Sequence, residues 1–390
     1  MKKVFIATKS RGFLYNLFRS KINNINFIYN SEVFYETNSR MKLFLSKILK
    51  SKLLDHFGLI KRVRVRDVNA DILFSYNKFL KSNKKYVIYL ENPLALVHYS
   101  TGRNKTFLGK VKLRRFLMDP NLKTIICLSK ACYETLPLFY KIPGRISVEQ
   151  VYPLVENNYL TSEKNIKLKC YKKDIQCLYI SSNFNLKGGK DILTCFKQLE
   201  RDGVNNIKLK VITQVKTLDD GLKKEIMQNR NIEISDFNYD NDQLKEIYNA
   251  SCILLNPTRQ DSFSLVVLEA MKSGNAIISS DLYAIPEMVQ DGINGYLTSP
   301  KFRFFNYDNL PNEYVWNNRE KTIYSDYIDD SMVDFLYEKL IYLNNNRGEL
   351  ERLTKNSYLK SNTGEFNNVY IKDKWEQIFY DAITDKTGGI

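Results

Sequence analysis

The sequence predicts an α/β protein built from two parallel sheets, and three observations carry this prediction. Short apolar runs alternate with helix-length segments along the whole chain, which is typical of parallel α/β sheets. Several of these runs lack the in/out alternation of a half-exposed strand, as expected where both faces of a sheet are covered. The 390 residues yield eleven such strands, too many for one regular open sheet. We therefore expect two Rossmann-like units.

The predicted elements follow one another at short intervals. The strands are predicted at residues 3–7, 71–75, 86–90, 124–128, 147–152, 176–181, 208–213, 231–235, 252–256, 276–280 and 295–298. The helices include 130–138, 190–200, 218–228, 241–250, 264–273 and, at the end of the chain, 367–383. The last helix carries four apolar side chains at helical spacing and is expected to bury that face. These side chains are Trp375, Ile378, Phe379 and Ile383.

The domain boundary is predicted within residues 155–173, a polar stretch rich in Asn and Lys. The chain is accordingly divided into an N-terminal domain (1–165), a second domain (166–365) and a C-terminal helical segment (366–390). A further stretch, 300–330, holds several aromatic residues without a hydrophobic period and is predicted to be loop-rich.

The net charge of +16 belongs entirely to the first half of the chain. Residues 1–165 carry +19, whereas residues 166–390 carry −3. Such asymmetry is typical of a domain that meets nucleic acid or an anionic membrane surface. The sequence shows no recognised nucleic-acid-binding module, so an anionic membrane is favoured and no nucleic-acid partner is expected.

Two basic amphipathic segments, 41–66 and 105–118, account for much of this surplus. Their apolar residues at helical spacing are Met41, Phe44, Leu45, Ile48 and Leu49, and then Phe107, Leu108, Val111 and Leu117. Their cations are Lys42, Lys47, Lys50, Lys52, Lys61, Arg62, Arg64 and Arg66, and then Lys105, Lys110, Lys112, Arg114 and Arg115. Basic amphipathic helices of this kind lie in membrane interfaces. The alternative is that their apolar faces pack on the first sheet and their charges are merely solvated.

Other whole-chain features indicate the compartment. The N-terminus lacks the long apolar region and cleavage site of a signal peptide, and no stretch of 18 apolar residues occurs. We expect a cytoplasmic protein attached peripherally to the inner face of the membrane. The six cysteines form no C-x-x-C pair and there are only two histidines, so packed, reduced thiols and no metal site are expected.

The most informative stretch is a polar loop between a buried strand and a helix. The strand at 252–256 runs into this loop, the helix opens near Ser264, and Gly274 ends it. Free backbone N–H groups and the positive end of the helix dipole make such a helix start an anion site suited to phosphate. The loop should lie outside the carboxyl end of a parallel strand, where open α/β sheets bind ligands.

Two carboxylates, Asp261 and Glu269, are eight residues apart around this helix start. Each can accept several hydroxyl hydrogen bonds, so the pair can hold sugar hydroxyls at both ends of a diphosphate. The alternative is a helix N-terminal charge at Asp261 and a partnered surface residue at Glu269.

The stretch from Asp261 to Glu269 resembles the E-x7-E motif of retaining glycosyltransferases of family 4, within the glycosyl transferases group 1. Residues 281–297 (DLYAIPEMVQDGINGYL) are similar to the G-G-x-P-E and D-G-x-N-G-x-L segment of that family. Residues 178–188 (LYISSNFNLKG) resemble its strand and loop ending in Lys-Gly, and residues 234–238 (ISDFN) resemble the stretch that cradles the nucleotide base.

The resemblance implies the GT-B fold, in which two Rossmann-like parallel-sheet domains face a cleft. The helix around Trp375 is similar to the C-terminal helix that crosses back to the first domain in that fold. The co-substrate would be a nucleoside-diphosphate sugar, and no metal or other cofactor is implied.

The resemblance also implies roles for individual residues. Lys187 would pair with the donor diphosphate, Asp261 would hold donor-sugar hydroxyls, and Glu269 would hold the ribose hydroxyls. The backbone N–H groups of the helix start would bind the distal phosphate, and two residues would border the base. These are Ser262, Phe263, Ser264 and Leu265 for the phosphate, and Phe237 and Asn238 for the base.

Two positions depart from the family pattern. Asp261 stands where the motif has its first glutamate, and its side chain is one methylene shorter. Ser182 stands where the family has a phosphate-binding arginine. Arg11 or Arg259 could supply the missing guanidinium, with a solvated loop charge as the alternative for each.

The first half offers three further site candidates. The loop at 8–12, which includes Arg11 and Gly12, takes the place of the glycine-rich turn that faces the donor phosphates, although it has one glycine. Related enzymes carry a histidine loop after the strand at 86–90. Here Glu91 or His98 would contribute to catalysis instead, the alternative for His98 being a packed or surface histidine.

The sequence thus predicts a retaining, nucleotide-sugar-dependent glycosyltransferase. By the resemblance, its acceptor is a lipid-linked or membrane-anchored glycan, as in bacterial surface polysaccharide, lipopolysaccharide or capsule synthesis. Two alternatives remain open. One is a non-catalytic membrane- or protein-binding module with a degenerate donor site, and the other is a sugar-nucleotide epimerase with the same fold.

Overall fold

A computed structural model describes residues 1–29 and 52–385 of the chain. The chain forms two compact units. The first unit combines Met1–Leu154 with the chain from Glu365 onward, and the second unit is Val155–Gly364.

The first unit contains a parallel sheet and a small satellite pair of strands. Its strands are β1 (Lys2–Ile6), β2 (Ile25–Ile28), β3 (Arg62–Arg64), β4 (Ile72–Tyr76), β5 (Phe79–Lys81), β6 (Tyr86–Leu90), β7 (Leu122–Cys127) and β8 (Ser147–Gln150). The sheet order is β2-β1-β4-β6-β7-β8 with all pairs parallel, while β3 pairs with β5. The helices before the second unit are α1 (Leu14–Arg19), α2 (Lys52–His56), α3 (Phe107–Leu117) and α4 (Lys130–Phe139).

The second unit repeats this architecture. Its strands are β9 (Ile175–Ser181), β10 (Ile207–Thr213), β11 (Ile232–Ser235), β12 (Ile253–Asn256), β13 (Ala276–Ser280) and β14 (Gly295–Thr298). They form a parallel sheet in the order β11-β10-β9-β12-β13-β14. The helices are α5 (Glu163–Cys170), α6 (Gly189–Arg201), α7 (Asp220–Gln228), α8 (Asn241–Ala250), α9 (Leu265–Lys272), α10 (Ile285–Met288), α11 (Glu313–Asn317), α12 (Asp330–Asn345) and α13 (Arg347–Asn362).

The buried core of the second unit shows why these segments fold as they do. Every residue of β12 and β13 is buried, because helices and loops cover both faces of the central strands. Helix α6 buries Ile192, Phe196 and Leu199, at a spacing that places them on one helix face. Helix α12 buries Leu336 and Leu340 in the same cluster.

The last helix, α14 (Asn368–Thr384), belongs to the first unit. Its Trp375 ring lies 5.8 Å from the Phe74 ring of β4, 5.1 Å from the Tyr89 ring of β6 and 5.4 Å from the Phe379 ring. The predicted face is therefore buried against the first sheet, and Ile383 is half-buried at its end.

The predicted fold class, two parallel Rossmann-like sheets, is confirmed. All eleven predicted strands exist, each within two residues of its predicted ends. Sequence reasoning missed β2, β3 and β5, which have three or four residues each and are too short to show a period. The six cysteines are buried and unbonded, as expected.

Two sequence expectations need correction. The stretch 155–173, predicted to contain the domain boundary, belongs to the second unit, which begins at Val155. It contains helix α5, whose Ser162 side chain accepts a hydrogen bond from the Asn165 N–H at 3.3 Å. The segment 41–66 is not one helix, because Arg62–Arg64 pairs with β5 as a strand. Its apolar positions from Met41 to Leu49 lie outside the described residues.

No helix within residues 1–29 or 52–385 is long and apolar enough to cross a membrane.

Candidate functional site

In the second sheet, the order in which the chain adds strands reverses between β9 and β12. Strand β9 pairs with β10 on one side and with β12 on the other, so the connections on its two sides run in opposite directions. Ligands of open α/β sheets bind outside the carboxyl ends of the strands at such a point. The loops that leave β9 and β12 here are residues 182–188 and 257–264.

These two loops press directly against each other. Gly188 has a φ of 73° at the start of α6, and a Cβ added to it would lie 2.2 Å from the Pro257 carbonyl oxygen. Only glycine allows both this backbone conformation and this close approach. The contact brings the Lys187 side chain over the loop that follows β12.

The Lys187 ammonium is held by that loop. Its Nζ donates hydrogen bonds to the Gln260 carbonyl oxygen at 2.6 Å and to Asp261 Oδ2 at 2.7 Å. The side chain keeps a quarter of its surface exposed. This is a fixed positive charge at the ligand-binding edge of the sheet.

The Asp261 carboxylate occupies the start of helix α9. Its Oδ1 accepts hydrogen bonds from the N–H groups of Ser262 at 2.9 Å, Phe263 at 3.3 Å and Ser264 at 3.0 Å. Burial would raise the pKa of Asp261, but the ion pair with Lys187 and these hydrogen bonds outweigh burial and lower it. Asp261 is therefore an ionised cap of the helix start.

The short Asp261 side chain folds back onto the amides of Ser262, Phe263 and Ser264. These are the amides that the resemblance assigns to the distal phosphate, and that role stays a prediction. Leu265 begins the helix and is half-buried. Ser264 has a φ of 65°, and Asn256 Nδ2 donates a hydrogen bond to its Oγ at 3.1 Å.

Glu269 lies on α9, within the helix that follows this loop. Tyr248 of α8 donates a hydrogen bond to its Oε2 at 2.7 Å. Burial raises the pKa of Glu269, and the Tyr248 hydrogen bond partly offsets that effect. Among the described residues, no side chain donates to Oε1, so this oxygen can accept from a ligand hydroxyl.

The remaining predicted donor-site residues of this unit are exposed at the same sheet edge. Ser182 follows β9, and Phe237 and Asn238 follow β11. Phe237 is 41% exposed. The Phe237 N–H donates a hydrogen bond to Asp236 Oδ1, and the Asn238 N–H donates one to the Asp236 carbonyl oxygen.

Ser182 also lines a cavity that sequence reasoning missed. The cavity measures about 340 Å³ and is bounded by the loop after β9, the loop after β10 and the start of α7. Its lining includes Asn183, Asn185, Gln214, Thr217 and Asp219. The polar loop that follows the predicted strand at 208–213 was the available signal, since it ends at the same sheet edge.

Arg259 is not a replacement for the missing phosphate-binding arginine. Its side chain is buried, and Nη2 donates to Asp191 Oδ1 at 3.0 Å and Oδ2 at 3.1 Å and to the Tyr327 carbonyl oxygen at 2.8 Å. The guanidinium also lies 3.8 Å from the Tyr327 ring centroid. These bonds commit Arg259 to the interior of the second unit.

In the first unit, Glu91 sits at the centre of a polar cluster at the carboxyl edge of the sheet. It is 4% exposed and accepts hydrogen bonds from the hydroxyls of Tyr76 and of Tyr99, the latter at 2.5 Å. Arg11 Nη2 lies 3.5 Å from its Oε1. The cluster orients Arg11, whose side chain is 59% exposed, toward solvent. The adjacent Gly12 is also exposed, and a Cβ there would meet nothing within 4 Å.

His98 is built into the backbone of the first unit. It has a φ of 59° after the turn at Pro93–Val97, and its Nε2 accepts a hydrogen bond from the Lys61 N–H at 3.0 Å. Burial, together with the cations of Arg103 and Lys78, lowers the pKa of His98 to about 4. His98 is neutral at pH 7 and its Nε2 is occupied.

We expect His98 to make the fold sensitive to mild acid. Because its pKa is lower in the folded than in the unfolded chain, the unfolded state alone takes up a proton between about pH 6.5 and about pH 4. The free energy of unfolding should therefore fall as the pH drops through this window. Urea unfolding at several pH values should show a shallower fall for His98→Asn than for the wild type.

His56, the other histidine, provides the control. His56 is exposed at the end of α2, so His56→Asn is the matched variant for the loss of a histidine. An equal acid dependence of the wild type and His98→Asn would contradict the assignment of His98 as a neutral, backbone-bound side chain.

Parts of this chain are similar to known proteins. Residues 175–303 match the family described as Glycosyl transferases group 1. Alpha-maltose-1-phosphate synthase of Mycobacterium tuberculosis is 42% identical to this chain over 55 residues. The match covers 14% of this chain and 14% of that enzyme, so the chain spans about a seventh of the length of this curated relative.

Two solved structures resemble nearly the whole chain. WaaG, a glycosyltransferase involved in lipopolysaccharide biosynthesis, superposes with a TM-score of 0.60 at 13% identity, over 99% of this chain and 100% of WaaG. Alr3699/HepE of Anabaena in complex with UDP gives a TM-score of 0.62 at 13% identity, over 98% of this chain and 100% of HepE. The chain therefore has the GT-B fold. Its second unit contains residues 175–303, the stretch that matches the glycosyl transferases group 1.

Proposed function

We propose that this protein is a glycosyltransferase that moves a sugar from a nucleoside-diphosphate sugar to a glycan acceptor. One observation carries the proposal. The Lys187 ammonium and the N-terminus of α9 meet between β9 and β12, where the strand order of the second sheet reverses. This part of the chain lies within the residues that match the glycosyl transferases group 1. A cation and a helix dipole at that place stabilise a leaving diphosphate as its charge develops.

Glu269 and Asp261 take complementary parts in this proposal. Oε1 of Glu269 accepts ribose hydroxyls, while Tyr248 holds Oε2. A diphosphate competes with Asp261 for Lys187 and for the amides of the helix start, since both are anions. Displaced from these donors, the Asp261 carboxylate turns to the hydroxyls of the donor sugar. Phe237 and Asn238 border the base.

Transfer proceeds with retention in this proposal, as the likeness of the Asp261–Glu269 stretch to the E-x7-E motif implies. The likeness to WaaG, which is involved in lipopolysaccharide biosynthesis, favours a lipid-linked or membrane-anchored glycan as the acceptor. The first unit would bind this acceptor.

The test is a thermal-shift screen with a panel of nucleotide sugars, followed by transfer assays with the stabilising donor. One class of nucleotide sugar should raise the melting temperature, and NMR of the product should show the anomeric configuration of the donor. No shift with any donor favours the non-catalytic module with a degenerate donor site. An epimerised nucleotide sugar formed without acceptor favours the epimerase.

We propose that the first unit binds an anionic membrane surface through helix α3. Leu113 and Leu117 of α3 are buried, but Phe107 is 79% exposed and Val111 50% exposed. The apolar face of α3 is thus only partly buried. The neighbouring exposed residues are Leu108, Met118, Lys110, Arg114 and Arg115.

We expect Phe107→Ser combined with Val111→Ser to reduce sedimentation with phosphatidylglycerol vesicles by about tenfold or more, because each buried apolar side chain contributes about 1.5–3 kcal/mol. Leu359→Ser is the matched control, since Leu359 is an exposed apolar residue of α13 in the second unit. Equal recovery of the wild type with anionic and with neutral phosphatidylcholine vesicles would refute membrane attachment.

A further inference from the structure

The second unit carries an aromatic excursion between its last strand, β14, and helix α12. We call residues 299–329 the aromatic excursion. The part from residue 304 onward lies beyond the residues that match the glycosyl transferases group 1. The excursion contains Phe302, Phe304, Phe305, Tyr307, Tyr314, Trp316, Tyr324 and Tyr327. Eight aromatic residues in 31 positions are unusual for a connecting loop.

The aromatic excursion has a small core of its own, docked on the loop after β13. The rings of Phe304 and Trp316 stack with centroids 4.2 Å apart, and Trp316 Nε1 donates to the Phe304 carbonyl oxygen at 2.7 Å. Phe305 stacks at 4.1 Å on Tyr283, which follows β13 with a φ of 51°. The excursion is therefore fixed to the edge of the sheet that bears the donor-site loops.

A second anchor joins the far end of the excursion to the loop after β12. Arg259 donates to the Tyr327 carbonyl oxygen at 2.8 Å and pairs with the buried Asp191 of α6. The Asp329 N–H donates to the same Asp191 carboxylate at 2.9 Å. Arg259 precedes Asp261 by two residues. The buried pair of Arg259 and Asp191 therefore holds the end of the excursion next to the loop 257–264.

The result of this anchoring is the position of Tyr324. Its hydroxyl lies 3.4 Å from Gln260 Oε1, and its side chain is 43% exposed. The Gln260 carbonyl oxygen accepts the Lys187 hydrogen bond, and the next residue is Asp261. Tyr324 therefore stands beside the residues that the proposed function assigns to the diphosphate and the donor sugar.

We propose that the part of the aromatic excursion around Tyr324 is a wall of the donor site that selects the donor sugar, with Tyr324 as the contacting residue. This inference rests on the proposed function. A phenol ring packs against the C–H face of a pyranose, and its hydroxyl together with the Gln260 amide discriminates between axial and equatorial sugar hydroxyls. A site that pairs with a hydroxyl rejects sugars that place it elsewhere, because the polar groups of the wall are then left unpaired.

The test compares Tyr324→Ala and Tyr324→Phe with Tyr314→Ala, an exposed tyrosine of the same excursion. Calorimetry with UDP and kinetics with a panel of UDP-hexoses, including UDP-glucose, are the readouts. Tyr324→Ala should raise KM for the preferred donor about tenfold and flatten the preference among epimeric sugars. Tyr324→Phe should raise KM about threefold. The Kd for UDP and all values for Tyr314→Ala should stay within about twofold of the wild type.

Unchanged sugar preference and KM in both Tyr324 variants would overturn this proposal while leaving the proposed function in place. Equal losses for UDP and for UDP-sugars would also overturn it, since the wall would then not sense the sugar. A wild type that neither binds UDP nor transfers a sugar from any donor would overturn the proposed function and this inference with it. Tyr324→Phe retains the ring, so it reports even if Tyr324→Ala is unstable.

Discussion

Replacing Glu269 by glutamine is expected to weaken nucleoside-diphosphate binding by about thirty- to a hundredfold. The open Oε1 can accept a ribose hydroxyl, and a hydrogen bond to a charged group is worth about 1.5–3 kcal/mol. Glutamine keeps one acceptor oxygen for Tyr248, so the neighbouring contact persists. Calorimetric titration of the wild type and Glu269→Gln with UDP, as the probe nucleotide, measures the difference.

The same substitution should leave the fold as stable as the wild type or slightly more stable. Burial raises the pKa of Glu269, so its contribution to stability declines as the pH rises through the unfolded and then the folded pKa. A neutral amide avoids that cost at pH 7. Glu246→Gln, at an exposed position of α8, should change neither binding nor stability. Equal UDP affinity in Glu269→Gln and the wild type would remove Glu269 from the nucleotide site.

The fold could be predicted from the sequence because its signals are local and repeated. Strands such as β12 and β13 are buried on both faces and therefore read as continuous apolar runs. Helix α5 escaped prediction because it is polar on average and buries only Ile166, Lys169 and Cys170. Lys169 makes this possible by donating to the Ser273 carbonyl oxygen at 2.7 Å, a partner that no local pattern indicates.

The site could be predicted only in part, because residue types indicate a loop but not where its side chains point. The family resemblance selected Lys187, Asp261 and Glu269, and the structure places Lys187 against Asp261 at the helix start. The Asp261 carboxylate is turned back onto the amides of Ser262 and Ser264, an orientation that the residue type alone does not indicate. Arg259 is buried in an ion pair and does not reach a ligand, because it pairs with Asp191. This partner is 68 residues away in the chain, so no local sequence pattern indicates the pair.

Breaking the buried pair of Arg259 and Asp191 is expected to have the largest effect on stability. Removing one partner of a buried ion pair costs about 3–5 kcal/mol, because the other charge stays buried and uncompensated. Arg259→Met should lower the urea midpoint accordingly. Burial raises the pKa of Asp191 against the pull of Arg259. Without the guanidinium that rise is unopposed, so the loss should be larger at about pH 8 than at about pH 5.

The double variant separates the charge from the packing. Arg259→Met combined with Asp191→Leu leaves no unpaired charge, so it should recover most of the loss. It should not recover all of it, because the Asp329 N–H loses its acceptor, at a cost of about 1–3 kcal/mol. Recovery of the fold without recovery of sugar preference would show that the pair positions the aromatic excursion beside Gln260. A double variant as unstable as Arg259→Met would instead mean that the stacking of Arg259 on Tyr327, at 3.8 Å, carries the stability.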